Sequence, residues 1–300
     1  MKWEGNRQSD NVEDRRDDDG GSGGAGGGAG GRLIGGRGIG IGGIAIALLA
    51  GWVFGINPLT VLGLLSGGDD PAPQVRQQGP AQAPPASDHM AAFVRTVLAD
   101  TEDVWKDVFA KEGATYRDPK LVLYRGAYPT ACGRGQTAMG PFYCPGDQKV
   151  YIDLAFYQTL KTKLGSPGEF AQAYVIAHEV GHHVQHLLGI SEKMDALRER
   201  VSKTEYNALS VRLELQADCL AGVWANKSQA SRHTLENGDI ESAMNAAAHI
   251  GDDALQKQSQ GYVVPESFTH GTSAQRSRWF NNGLQIGSVK GCDTFSSKAL

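Results

Sequence analysis

The chain has 300 residues and a formal net charge of -4, enough length for one or two domains but no basic excess of the kind that binds nucleic acid. Its composition is uneven. Most of the glycine and proline lies in the first 87 residues, and the remainder has ordinary globular composition that can bury a core.

Residues 1–37 are polar, charged and Gly-rich, with Asp17-Asp18-Asp19 followed by a glycine-dominated run. Such a segment predicts a disordered arm, because it has too little apolar surface to offset the entropy of ordering. Residues 38–66 follow, and 39–65 carry no charge. About 20 apolar residues cross a bilayer as a helix, so a single retained transmembrane helix is expected there, with Pro58 tolerated within it. Arg15, Arg16, Arg32 and Arg37 precede this stretch, whereas Asp69, Asp70 and only Arg76 follow it. The positive-inside rule then places the N-terminus in the cytoplasm and everything after residue 66 outside. Residues 67–87, rich in Pro, Gln and Ala, read as a linker.

A folded domain is expected over 88–300, with Ser87 or Asp88 capping its first helix. Phe93, Val94, Val97, Leu98, Val104, Trp105, Val108 and Phe109 recur with helical period. Residues 121–124 and 150–152 are short β-type runs. Helices are predicted at 169–188, 192–203, 205–226, 239–256 and 273–282, the last with a Thr272/Gln275 capping box. Early strands and late helices give an α+β domain, mainly helical with a small sheet. Its four cysteines, Cys132, Cys144, Cys219 and Cys292, include no C-x-x-C pair. Their even number after the apolar stretch suits disulfides in an oxidising compartment, a local Cys132–Cys144 bridge and a Cys219–Cys292 bridge. Four buried free thiols are the alternative.

The chemistry concentrates at His178-Glu179-Val180-Gly181-His182. Residues four apart share a helix face, so the two imidazoles can hold one Zn²⁺, and Glu179 beside them suits a general base acting on water. Gly181 leaves room for a second segment to approach. A catalytic zinc takes a third protein ligand. Glu214 on the downstream helix can supply it, and Asp218, one turn further, can accept the spare N–H of a ligand histidine. Both carboxylates sit in an otherwise apolar run and need partners there.

These two motifs resemble those of gluzincins. More narrowly, the chain resembles the bacterial neutral zinc metallopeptidases. The likeness rests also on Met1-Lys2-Trp3-Glu4-Gly5, Gly140-Pro141-Phe142-Tyr143-Cys144-Pro145, Val150-Tyr151-Ile152-Asp153 and His270-Gly271-Thr272-Ser273-Ala274-Gln275-Arg276. It implies a zincin-like domain outside the cytoplasm, anchored in a bacterial inner membrane by one span and acting on peptide or protein substrates.

The other histidines divide. His183 and His186 are expected on the helix surface or behind the ligands, although His182/His186 is a rival ligand pair. His249 is expected in the core or behind the site. His270, in a Gly/Thr/Ser turn, is a candidate donor to the oxyanion, with a capping-turn histidine as the alternative. Tyr262 is a weaker candidate. Asp252 and Asp253 are expected at a solvated helix end, with a cation site as the alternative. Three rival readings stay open on the sequence alone: a zinc-binding envelope scaffold without proteolysis, hydrolysis of a cell-wall amide, and a membrane-tethered helical domain with no metal.

Overall fold

A computed structural model describes residues 1–18, 82–136, 140–162, 168–249 and 251–300. The expected span at 38–66 lies outside the described residues, as does most of the expected linker. Among the described residues, no helix is long and apolar enough to cross a membrane.

The elements run β1 (Val12–Asp14), α1 (His89–Lys111), β2 (Lys120–Tyr124), β3 (Ala127–Thr130), β4 (Gly133–Gln136), β5 (Phe142–Cys144) and β6 (Lys149–Asp153). They continue with α2 (Ala155–Thr162), α3 (Glu169–Leu187), α4 (Ile190–Arg198), α5 (Lys203–Arg232), α6 (Asp239–His249), α7 (Asp252–Gln260) and α8 (Ser273–Ile286). The fold is α+β and mostly helical. The main sheet has the order β1-β2-β6-β5, and β3–β4 form a separate hairpin. Strands β1, β2 and β6 are parallel, and β5 is antiparallel to β6, pairing Phe142 with Tyr151 and Cys144 with Lys149.

Leu121-Val122-Leu123-Tyr124 is apolar without alternation because both faces of β2 are covered. Leu121 and Leu123 join the large core with Trp105, Phe170, Tyr174 and Trp224, while Val122 and Tyr124 join a small cluster with Tyr128 and Tyr151. Helix α1 begins as predicted, with the Asp88 carboxylate accepting the Ala91 N–H at 3.0 Å. The capping box at Thr272/Gln275 is present, and a second one, Ser202/Glu205, opens α5. The predicted helix over 239–256 is two helices, because the chain turns at Gly251 in extended backbone (ψ 146°). Both disulfides form, Cys132–Cys144 and Cys219–Cys292.

The arm predicted over 1–37 needs correction. Residues 1–18 are part of the domain. Trp3 is buried against Phe93, and its indole N–H donates to Glu169 at 3.0 Å. Val12 is buried within β1, in register with Leu121. The buried Glu102 carboxylate accepts from Arg7 and Asn11, both at 2.9 Å, and from the Ser9 hydroxyl. The glycine run dominates the average composition of 1–37. The partners that order its first half lie ninety or more residues away and leave no local pattern.

Candidate metal centre

Helices α3 and α5 meet where side chains are smallest. A Cβ on Gly181 would lie 3.0 Å from the Ala217 carbonyl oxygen and 3.3 Å from its Cα, so only glycine fits without a shift. That contact sets the two faces carrying chemistry against each other. Nε2 of His178 lies 3.1 Å from Glu214 Oε2, and Nε2 of His182 lies 3.5 Å from Glu214 Oε1. One ligand atom from each of the three residues falls within 4.8 Å of the others. Two imidazole nitrogens and a carboxylate at this spacing could hold a metal ion, and they are donor types that zinc takes. Glu214 and His182 keep modest exposure, 17% and 16% of their side chains, so the site opens to solvent on one side.

The far nitrogens are fixed as well. His178 Nδ1 pairs with Asp218 at 2.8 Å. His182 Nδ1 pairs with Gln185 Oε1 at 2.8 Å, and the Gln185 amide donates to the Leu213 carbonyl and to Gln216. Each of these acceptors places the proton on Nδ1 and leaves Nε2 to face the cluster.

Asp218 is wholly buried and carries four contacts. Besides His178, it accepts from Tyr174 Oη at 2.5 Å and from Arg276 Nε and Nη2, both at 2.9 Å. Burial alone would raise its pKa, but Arg276 and His178 hold it down at about 2. Burial pushes the His178 imidazole down, yet Asp218 and Glu214 outweigh it and lift it to about 10. His182 is likewise raised, its burial outweighed by Glu214. Glu214 is pulled well below its ordinary range, the two histidines outweighing its burial. The protein groups alone therefore bind protons where a divalent cation would sit.

Glu179 is buried beside the cluster. Burial raises its pKa, against the charges of His178 and His182 and a backbone hydrogen bond from Tyr143. That strand residue belongs to β5, the sheet edge, which packs on α3. His183 faces away from the cluster. Its Nε2 meets the Arg117 carbonyl at 2.6 Å and its Nδ1 meets Tyr143 Oη at 2.9 Å. It is fully buried rather than on the surface, and desolvation pushes it down to about 4. His186 stands beside the Tyr143 ring, outside the cluster, so the His182/His186 pair does not assemble.

His270 comes near from the loop before α8. Its Nδ1 lies 3.2 Å from Asp252 Oδ1, while Asp252 Oδ2 accepts the backbone N–H groups of Thr269, His270 and Gly271. The Asp252 hydrogen bond raises the His270 pKa above its ordinary value, and Glu214 is close enough to add to the effect. Its side chain remains half exposed. Asp253 accepts from the Ser273 N–H and hydroxyl. Both acids thus tie loops together instead of standing in solvent. His249 is exposed at the end of α6, not in the core, and Tyr262 is exposed.

Sequence reasoning missed Tyr174, Gln185 and Arg276. Gln185 lies three residues beyond His182, which is a readable helical spacing. Arg276 comes from a distant helix and leaves no local sign.

Residues 1–295 match the family described as "Putative neutral zinc metallopeptidase". The chain belongs to this family. It is 52% identical over 295 residues to the uncharacterized protein YpfJ of Escherichia coli (strain K12), covering 98% of this chain and 99% of that one. It is 42% identical over 207 residues to the uncharacterized proteins Mb2605 of Mycobacterium bovis and Rv2575 of Mycobacterium tuberculosis, covering 66% of this chain and 68% of each relative. No solved structure matches.

Proposed function

We propose that this family member hydrolyses peptide bonds with a zinc ion held by His178, His182 and Glu214. One observation carries the reading: two Nε2 atoms and a carboxylate converge, with both Nδ1 atoms tied back and a buried glutamate adjacent. The donor set also fits by charge, because Glu214 stays ionised and the carboxylates raise the pKa of both imidazoles, a negative environment that favours a cation.

Held by His178, His182 and Glu214, a zinc ion would supply Lewis-acid polarisation of a substrate carbonyl and would lower the pKa of water toward neutrality. The remaining work belongs to the chain. Glu179 takes the proton from water and passes it to the departing amine nitrogen, a role suited to a carboxylate whose pKa burial has raised. Asp218 keeps His178 in one tautomer and orientation, and Arg276 and Tyr174 keep Asp218 ionised and in place. His270, its Nδ1 tied to Asp252, offers Nε2 to the carbonyl oxygen as that oxygen gains negative charge. The edge of β5 suits an extended peptide that adds backbone hydrogen bonds beside Glu179.

The test is zinc content and hydrolysis of a peptide library by wild type and Glu179→Gln. The variant is expected to keep zinc and lose hydrolysis. Undiminished hydrolysis would remove Glu179 as the base. Zinc bound by a wild type that cleaves nothing would favour a scaffold role.

A further inference from the structure

The position of strand β1 constrains how the chain meets a lipid bilayer. Asp14 N–H donates to the Gln82 carbonyl at 2.7 Å, Leu121 N–H donates to Asn11 and Arg15 N–H donates to Leu123. The chain therefore departs after residue 18 and returns at residue 82 from adjacent points of one domain. Undocking residues 1–18 would uncover Trp3 and leave Glu102 as a buried carboxylate without Arg7, Ser9 and Asn11.

A bilayer cannot lie between hydrogen-bonded strands. Any odd number of crossings between residues 18 and 82 would separate β1 from β2. We infer that residues 1–18 and 82–300 occupy the same side of any membrane the chain meets.

Two of the arginines that precede the apolar stretch are engaged within the domain. Arg16 pairs with Asp14 and Asp88, and Arg15 with Glu13 and Asp18. These two cations belong to the folded domain, leaving Arg32 and Arg37 as the basic residues just before the stretch. The two disulfides select the oxidising side for the whole domain, strand β1 included. None of this depends on zinc or on hydrolysis.

The experiment uses the full chain in bacterial spheroplasts. All four native cysteines are bridged, so a membrane-impermeant maleimide reports only an introduced thiol. Gln8 and Lys298 are both exposed, and Gln8→Cys and Lys298→Cys are made separately, with the parent chain as the silent control. Equal labelling of the two variants in intact spheroplasts is the expected result. Labelling of Lys298→Cys with Gln8→Cys silent until lysis would overturn the shared side and restore a single crossing. Silence of both until lysis would overturn the extracytoplasmic placement.

Discussion

Helix α3 carries histidines on two faces with opposite electrostatic fates. On one face, the buried His178 lies between Asp218 and Glu214, which, with no cation between them, outweigh its burial and lift its pKa to about 10. On the other, five residues on, His183 meets only a carbonyl and a phenol in the dry interior and stays neutral down to about 4. Residue type and helix are the same. The difference comes from what each face packs against: the first meets the acidic turn of α5, the second the sheet edge and the Arg117 loop. A histidine-rich helix therefore does not define a metal site until the opposing carboxylates are known.

The largest expected effect comes from removing that opposing charge. Asp218→Asn leaves the buried Arg276 guanidinium without its ion pair, which costs about 3–5 kcal/mol of stability. It also frees His178 to rotate, lowering zinc affinity by about 10–100-fold. Denaturant unfolding and a competitive zinc titration read the two effects separately. If His178 kept its affinity, the two faces would be less different than the geometry makes them.

The second prediction concerns His183. Its folded pKa lies below the ordinary value of about 6.5, so its contribution is fully present above that value and lost as pH falls toward 4. Between pH 7 and pH 5 it should account for about 2 kcal/mol of lost stability. His183→Gln should remove that part of the slope while leaving zinc content unchanged. An identical slope in both proteins would mean that His183 is not held neutral.

The smallest effect tests how closely α3 and α5 must approach. Gly181→Ala pushes a methyl group toward the Ala217 backbone, and overpacking of this kind costs about 1–3 kcal/mol. Because it also parts Glu214 from the imidazoles, zinc affinity should fall with it. A stability loss with unchanged affinity would show that the helices separate elsewhere.

What the sequence discloses follows from how far apart the interacting residues lie. His178, Glu179 and His182 are readable because one helical turn puts chemistry at fixed spacing. Glu214 and Asp218 repeat that spacing inside an apolar run, where carboxylates demand partners. Gln185, three residues beyond His182, obeys the same rule. Arg276 and strand β1 are different in kind. Arg276 meets Asp218 from another helix, and Val12 pairs with Leu121 across more than a hundred residues. No local periodicity encodes such contacts. The first eighteen residues were hidden further by the glycine run that follows them, which makes the average of 1–37 resemble a disordered arm.

The origin of Arg276 bears on when the centre can work. Both histidines, Glu179, Glu214 and Asp218 have all been synthesised by residue 218, yet the guanidinium that neutralises Asp218 arrives on the last long helix. The bridge from Cys219 is completed later still, by Cys292. A growing or truncated chain ending before residue 273 holds every proposed zinc ligand but lacks the clamp that steadies His178. If the proposed function holds, the centre reaches its final form only once α8 docks and brings Arg276 to Asp218.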